Sequence, residues 1–194
     1  MRLVLATRNE HKLRELAEIL DGHELLPLPD EVELPPEDGD TFEANALIKA
    51  RAARDATGLP AIADDSGIAA RALGGRPGVR SARYAGEDAS DEENLEKLLR
   101  EVEAAGDDHR VAYVCAIAHI DGEGTEQVFE ARCEGELTLE PRGTGGFGYD
   151  PAVIPLDTGP DDDRTMAELS PDEKHAISHR GRAGRLLAER LGAS

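Results

Sequence analysis

Tryptophan is missing from this sequence of 194 residues, and Tyr and Phe supply only three residues each. An aromatic side chain standing inside a motif is therefore informative. Lysine is scarce too: Lys12, Lys49, Lys97 and Lys174 are the lysines, against a basic side made mostly of arginine. Cysteine is limited to Cys115 and Cys133, with no C-x-x-C and no histidine at metal-ligand spacing. That excludes a disulfide framework and a zinc module, and reads as two free buried thiols in a reducing compartment. No apolar run approaches 18 residues, so no membrane-spanning helix is expected. The short apolar run near the N-terminus gives way at once to charge, which is not a signal peptide, and the expected location is the cytoplasm. Bases are outnumbered 22 to 41, for a net charge of −19, which argues against a nucleic-acid partner because phosphate affinity is mostly electrostatic.

What is present alternates strands and helices. RLVLA (2–6) is a short apolar run that reads as a buried strand. NEHKLRELAEIL (9–20) sets Leu13, Leu16, Ala17 and Leu20 at helical spacing behind Asn9, a helix N-cap residue. The Pro- and acid-rich stretch 26–40 reads as a long loop. A second helix is expected over 41–56, ended by Gly58 and Pro60, and a second core strand over 61–63. Residues 72–90 read as a Gly-rich loop and 91–105 as an amphipathic helix. Residues 110–120 and 125–141 read as two strands joined by a hairpin turn at DGEG. Another loop follows at 142–151. Ser170, Pro171 and Glu173 then form a capping-box start for a helix that runs toward Leu191. The class is α/β or α+β around a mixed sheet.

Five stretches can carry chemistry. In LATRNEHK a strand leads through a short loop into a helix, whose N-terminus favours anions. Thr7, Asn9 and Lys12 can add hydrogen bonds and charge there, although a plain capped helix has the same pattern. Glu37 and the pair Asp64–Asp65 offer carboxylates for a hard cation such as Mg²⁺, with Asp65 at a strand end. ADDSG is equally compatible with an Asx turn. GTGGFGYDP puts Phe147 and Tyr149 in a Gly-rich loop, where a ring can stack on a base and Asp150 can accept hydrogen bonds, or where the rings simply plug a core. EKHAISHRG places Lys174, His179 and Arg180 on a helix that otherwise reads as a solvated basic face.

LATRNEHKLREL, TFEANALIKARAA, AIADDSGI, LGGRPGVRSARYAG, GTGGFGYDP and AELSPDEKHAISHRG together resemble the inosine triphosphate pyrophosphatases, or XTP/dITP diphosphatases. The likeness follows nearly the whole chain in order. It implies an α/β fold with an elongated mixed β-sheet and flanking helices, two lobes enclosing a central nucleotide-binding cleft. Residues 1–194 would form one such domain, acting as a homodimer. The implied reaction splits ITP, dITP or XTP into the monophosphate and pyrophosphate with Mg²⁺, or Mn²⁺ in its place, keeping these nucleotides out of DNA and RNA. By motif, Thr7, Arg8, Asn9, Glu10, His11 and Lys12 would grip the triphosphate, with Lys49 nearby. Glu37 and Asp65 would hold the metal, Asp65 would accept the proton of the attacking water, and Ser66 would touch substrate. Phe147, Gly148, Tyr149, Asp150, Lys174, His179 and Arg180 would form the base and phosphate site. Two positions depart from the pattern: Arg8 stands where the motif usually has glycine, and Ala44 where it has Glu. Glu43 is about 100° away round a helix. The alternatives are a pyrophosphatase for another modified nucleoside triphosphate and a nucleotide-binding module without catalysis.

One angular conflict adds an expectation. On a straight helix Lys174 and Arg180 lie about 60° to either side of the Ile177–Gly181–Gly184 stripe, whereas His179 lies about 160° from it. A helix that aims all three at one ligand must be interrupted near Ser178.

Overall fold

A computed structural model describes residues 1–192. In chain order the elements are β1 (Arg2–Leu5), α1 (Glu10–Ile19), β2 (Glu24–Pro27), α2 (Phe42–Thr57), β3 (Ala61–Ala70), α3 (Asp91–Ala105), β4 (Arg110–Ile120), β5 (Glu126–Leu137), β6 (Val153–Pro155), α4 (Pro171–Ile177) and α5 (His179–Gly192). The six strands form a sheet in the order β2-β1-β3-β4-β5-β6. It is mixed: β2 and β3 run parallel to β1, whereas β6 is antiparallel to β5. The expected α/β class with flanking helices is what is found.

The helices begin and end where local chemistry says they should. Asn9 caps α1 through its Oδ1, and Thr41 caps α2. α2 stops at Gly58, whose left-handed backbone (φ 67°) is the conformation glycine adopts without a Cβ penalty. Capping boxes start α3 at Ser90 and α4 at Ser170. The interruption near Ser178 is present: Ser178 is extended (φ −63°, ψ 153°) and separates α4 from α5, which starts at His179.

The strands depart from expectation in several places. β3 does not end at Ala63 but runs on through Asp64, Asp65, Ser66 and Gly67 to Ala70, so the acidic pair is inside a strand and is neither a strand end nor a turn. β2 occupies Leu26 and Pro27, which the Pro-rich pattern assigned to a loop. As the edge strand it tolerates a proline. The three-residue β6 has no period of its own to read, and β5 ends at Leu137, short of 141. The Gly-rich stretch after β3 contains two 3₁₀ turns, 71–73 and 78–83.

The chain divides into two compact units of interleaved segments. The first comprises residues 1–65, 115–131 and the chain from 180 onward; the second comprises 66–114 and 132–179. In the first unit, successive strand residues face opposite ways. Leu3, Leu5, Ile62, Cys115 and Ile117 pack with Leu16 and Leu20 of α1 and Ala183, Leu187 and Leu191 of α5. Val4, Ala6, Ala61, Ala63 and Ala118 pack instead with Ala46, Ala50 and Ala53 of α2. The second unit has one core, in which Ile68, Tyr113, Tyr149, Val153 and Met166 meet Leu95, Leu98 and Val102 of α3. Both cysteines are buried free thiols.

Candidate active site

The alternation of β3 decides what its two acids do. Asp64 shares the face of Ile62, toward α1 and α5, and Asp65 shares the face of Ala61 and Ala63, toward α2. Adjacent in sequence, they therefore serve different partners.

Asp64 is fully buried. Its Oδ2 lies 3.0 Å from Lys12 Nζ and accepts a hydrogen bond from Arg180 Nε at 3.1 Å. Arg180, also buried, donates through Nη1 to Glu15 Oε2 at 2.5 Å. Burial alone would raise the Asp64 carboxyl, but Lys12, Arg180 and Lys49 outweigh it and hold the group well below the usual carboxylate range.

Asp65 meets a different set. Asn45 Nδ2 donates to its Oδ2 at 3.0 Å, and Lys49 Nζ lies 3.7 Å from its Oδ1. The same ammonium donates to Glu37 Oε1 at 2.6 Å. Burial raises the Asp65 carboxyl, Lys49 opposes this, and the charge of Glu37 adds to the rise, leaving it above its ordinary value. Lys49 is itself raised: its three acidic neighbours Asp65, Asp64 and Glu37 overcome the desolvation that would lower it. Asn45 also accepts from Gly39 N at 2.9 Å, tying the Glu37 segment to α2. A Cβ on Gly39 would stand 2.7 Å from Asn45 Oδ1, so the approach depends on glycine.

Among the described residues no group of three or more His, Cys, Asp or Glu side chains converges as a metal site. The Glu37–Asp65 pair nonetheless fits Mg²⁺. Two carboxylates converge on one cationic group, and Mg²⁺ takes one or two carboxylates together with water and phosphate oxygens.

The predicted N-terminal grip is built as a cap. Asn9 Oδ1 accepts from His11 N and Lys12 N, and Thr7 Oγ1 accepts from Asn9 N. Glu10 and His11 are exposed, with His11 Nδ1 3.0 Å from Arg14. Arg8 points elsewhere, to the carbonyls of residues 28–32.

The remaining predicted residues fall in the second unit, apart from Arg180. Asp150 is an internal hub rather than an open acceptor. It accepts from Tyr113 Oη at 2.9 Å, Phe147 N at 3.0 Å and Lys174 Nζ at 2.7 Å. Lys174 also lies over the Phe147 ring, 5.2 Å from its centroid. Tyr149 is a buried core residue whose hydroxyl donates to Ser81 O at 2.7 Å. Gly148 N donates to Asp91 Oδ2, and Ser66 is half-buried in β3. His179 is buried and stacks parallel on Tyr113, with centroids 4.7 Å apart at 9°. The break at Ser178 thus gives His179 and Arg180 separate surroundings: His179 joins Tyr113, and Arg180 joins Asp64. The motif reading did not single out Tyr113 or Glu15. Tyr113 was legible as one of only three tyrosines, and Glu15 as the residue one helical turn past Lys12.

The sequence matches the Ham1 family over residues 3–190. A dITP/XTP pyrophosphatase of Geobacter sulfurreducens is 52% identical, over 98% of this chain and 96% of that protein. One from Shigella flexneri is 47% identical over 98% of each. Among solved structures, a HAM1 protein from Coxiella burnetii matches with a TM-score of 0.91 at 43% identity over the full length of both chains. A nucleoside-triphosphatase/dITP/XTP pyrophosphatase from Mycobacterium abscessus matches at 0.77 and 46% identity, over 96% of this chain and 98% of that one.

Proposed function

From the premise that this chain belongs to the Ham1 family, we propose that it hydrolyses dITP, XTP and ITP to the monophosphate and pyrophosphate, clearing nonstandard purines from the nucleotide pool. The observation that carries this reading is the Glu37–Lys49–Asp65 cluster: two carboxylates and a buried ammonium brought together from a loop, a helix and a strand. Phosphoanhydride hydrolysis needs charge neutralisation and an oriented water more than covalent chemistry. Asp65 accepts the proton of the attacking water. Asn45 fixes the orientation of its carboxylate. Lys12, at the N-terminus of α1, and Lys49 set positive charge against the phosphates. Glu37 and Asp65 would hold Mg²⁺, which when bound would supply charge neutralisation for the phosphates. Within the second unit Asp150 places Lys174 against Phe147, and the family resemblance assigns these residues and His179 to the purine. Donors aimed at a 6-oxo group disfavour adenine, whose 6-amino group cannot satisfy them.

The enzyme works as a cytoplasmic homodimer with no nucleic-acid or membrane partner. The acidic charge supports the first of these exclusions, and among the described residues no helix is long and apolar enough to cross a membrane. The test is release of pyrophosphate from dITP, XTP, ITP, ATP and GTP with and without Mg²⁺. Release confined to the first three is expected. Turnover of a different modified nucleotide alone would move the assignment to that substrate, and binding without release would make the chain a non-catalytic module.

A further inference from the structure

Residues 26–37, LPLPDEVELPPE, carry prolines at 27, 29, 35 and 36, and each removes a backbone N–H. Such a stretch is rich in carbonyls and poor in donors of its own, and its carbonyls need partners from elsewhere. Arg8 supplies them. Its Nη1 donates to Leu28 O at 2.8 Å, and its Nη2 donates to Pro29 O at 2.7 Å and to Val32 O at 3.1 Å. Pro29 O also accepts from Val32 N, so the guanidinium closes over a turn. Longer contacts reach Asp30 O and Asp30 Oδ1, both at 3.4 Å. The ion pair with Asp30 adds little, because that carboxylate is fully exposed. The carbonyl contacts are what hold the segment.

Five residues beyond this turn stands Glu37, and beyond it Gly39 is bonded to Asn45. The segment that carries Glu37 to Lys49 is therefore pinned on both sides, by Arg8 before it and by Asn45 after it. We infer that Arg8 is a positioning residue: it clamps the 28–32 turn and so sets where Glu37 stands, and it is not a ligand of the triphosphate. A glycine at position 8 would supply none of these donors. The backbone makes no demand for one either, since no described residue other than glycine has a positive φ. Lysine cannot replace the fork, because a single ammonium does not span three carbonyls as a planar guanidinium does.

The catalytic part of this inference rests on the proposed hydrolysis; the clamp itself does not. The experiment compares wild type, Arg8→Gly and Arg8→Lys by amide hydrogen exchange of residues 26–40, with helix α3 as internal control. The same proteins are then assayed for pyrophosphate release from dITP over a range of free Mg²⁺. In Arg8→Gly, exchange in 26–40 should quicken about tenfold or more while α3 is unchanged, as expected for local loosening. Turnover number should fall about tenfold, half-maximal activity should need more Mg²⁺, and KM for dITP should move by less than about twofold. Arg8→Lys should recover little of either. Unchanged exchange with a raised KM would make Arg8 a phosphate ligand and overturn the inference. Faster exchange with unchanged turnover would overturn the positioning role, and full recovery by lysine would assign the effect to charge. If wild type releases no pyrophosphate, the proposed function fails, and the exchange comparison still judges the clamp.

Discussion

Arg180 and Asp64, 116 residues apart in sequence, meet in the interior with Nε 3.1 Å from Oδ2, and neither side chain exposes more than 2% of its surface. Lys12 shares the same carboxylate oxygen. Asp64 thus neutralises two cations that otherwise have no reason to lie beside one strand. Removing one partner of a buried pair leaves the other charge uncompensated, at a cost of about 3 kcal/mol or more. Asp64→Asn should accordingly lower stability by about that amount, read from urea denaturation, with Lys12 and Arg180 losing their fixed positions. The carboxyl is held below its usual range, so its contribution is complete above the unfolded-state pKa and is lost as pH falls toward the folded value. An Asp64→Asn variant as stable as wild type would show that Glu15 alone suffices for Arg180.

Asp65→Asn should behave in the opposite way. Asn is nearly isosteric and keeps a hydrogen-bonding carbonyl for Asn45, so the fold should persist. It accepts no proton and carries no charge, so turnover should drop by about 10²–10⁴ from loss of the base alone. Loss of a metal ligand would deepen this. Circular dichroism beside a pyrophosphate assay checks both halves, and comparable turnover in the two proteins would remove Asp65 from the mechanism.

Chelation separates function from folding. The three apolar clusters hold the fold together, and among the described residues no group of three or more His, Cys, Asp or Glu could hold a structural metal. Excess EDTA should therefore abolish pyrophosphate release while leaving the melting temperature unchanged, with activity restored by Mg²⁺ or Mn²⁺. Full activity in chelator would strip Glu37 and Asp65 of the metal role together.

His119, buried on β4, gives a pH prediction independent of the site. Burial holds its imidazole below the ordinary value, with Asp121 opposing and Arg190 reinforcing the shift. The folded state therefore resists a proton that the unfolded chain takes up below about pH 6.5. Stability should be full at pH 7.5 and decline as pH falls through that value, levelling off below the folded pKa. In His119→Gln the urea midpoint should change less between pH 7.5 and 5.5. An identical decline in both proteins would place the cause elsewhere.

Helix periodicity, caps and turn residues were readable because each depends on neighbours within a turn or two; α3 falls on the predicted residues 91–105. The helix break at Ser178 follows from the resemblance, which groups Lys174, His179 and Arg180 in one site that a straight helix cannot serve; the break is present, but it parts His179 from Arg180. β3 was cut short because two acids, a serine and a glycine look like a turn to any local pattern. What lets a strand bury them is charge delivered by Lys12, Lys49 and Arg180 from three distant elements. The same locality hid the hydrogen bonding of Asp150 and the stacking of His179 on Tyr113, whose partners lie far along the chain. The carbonyls that Arg8 meets are 20 or more residues away, so no local pattern shows them.

The interleaved order of the two units bears on synthesis. The second unit is complete once His179 has been made, whereas the first waits for α5. Until then Leu3, Leu5, Leu16 and Ile62 lack the cover of Ala183, Leu187 and Leu191. A nascent chain therefore carries an unroofed apolar surface for most of its translation, the condition under which partly folded chains aggregate. Faults in the last two turns of α5 should show as lost soluble yield before they show as lost catalysis.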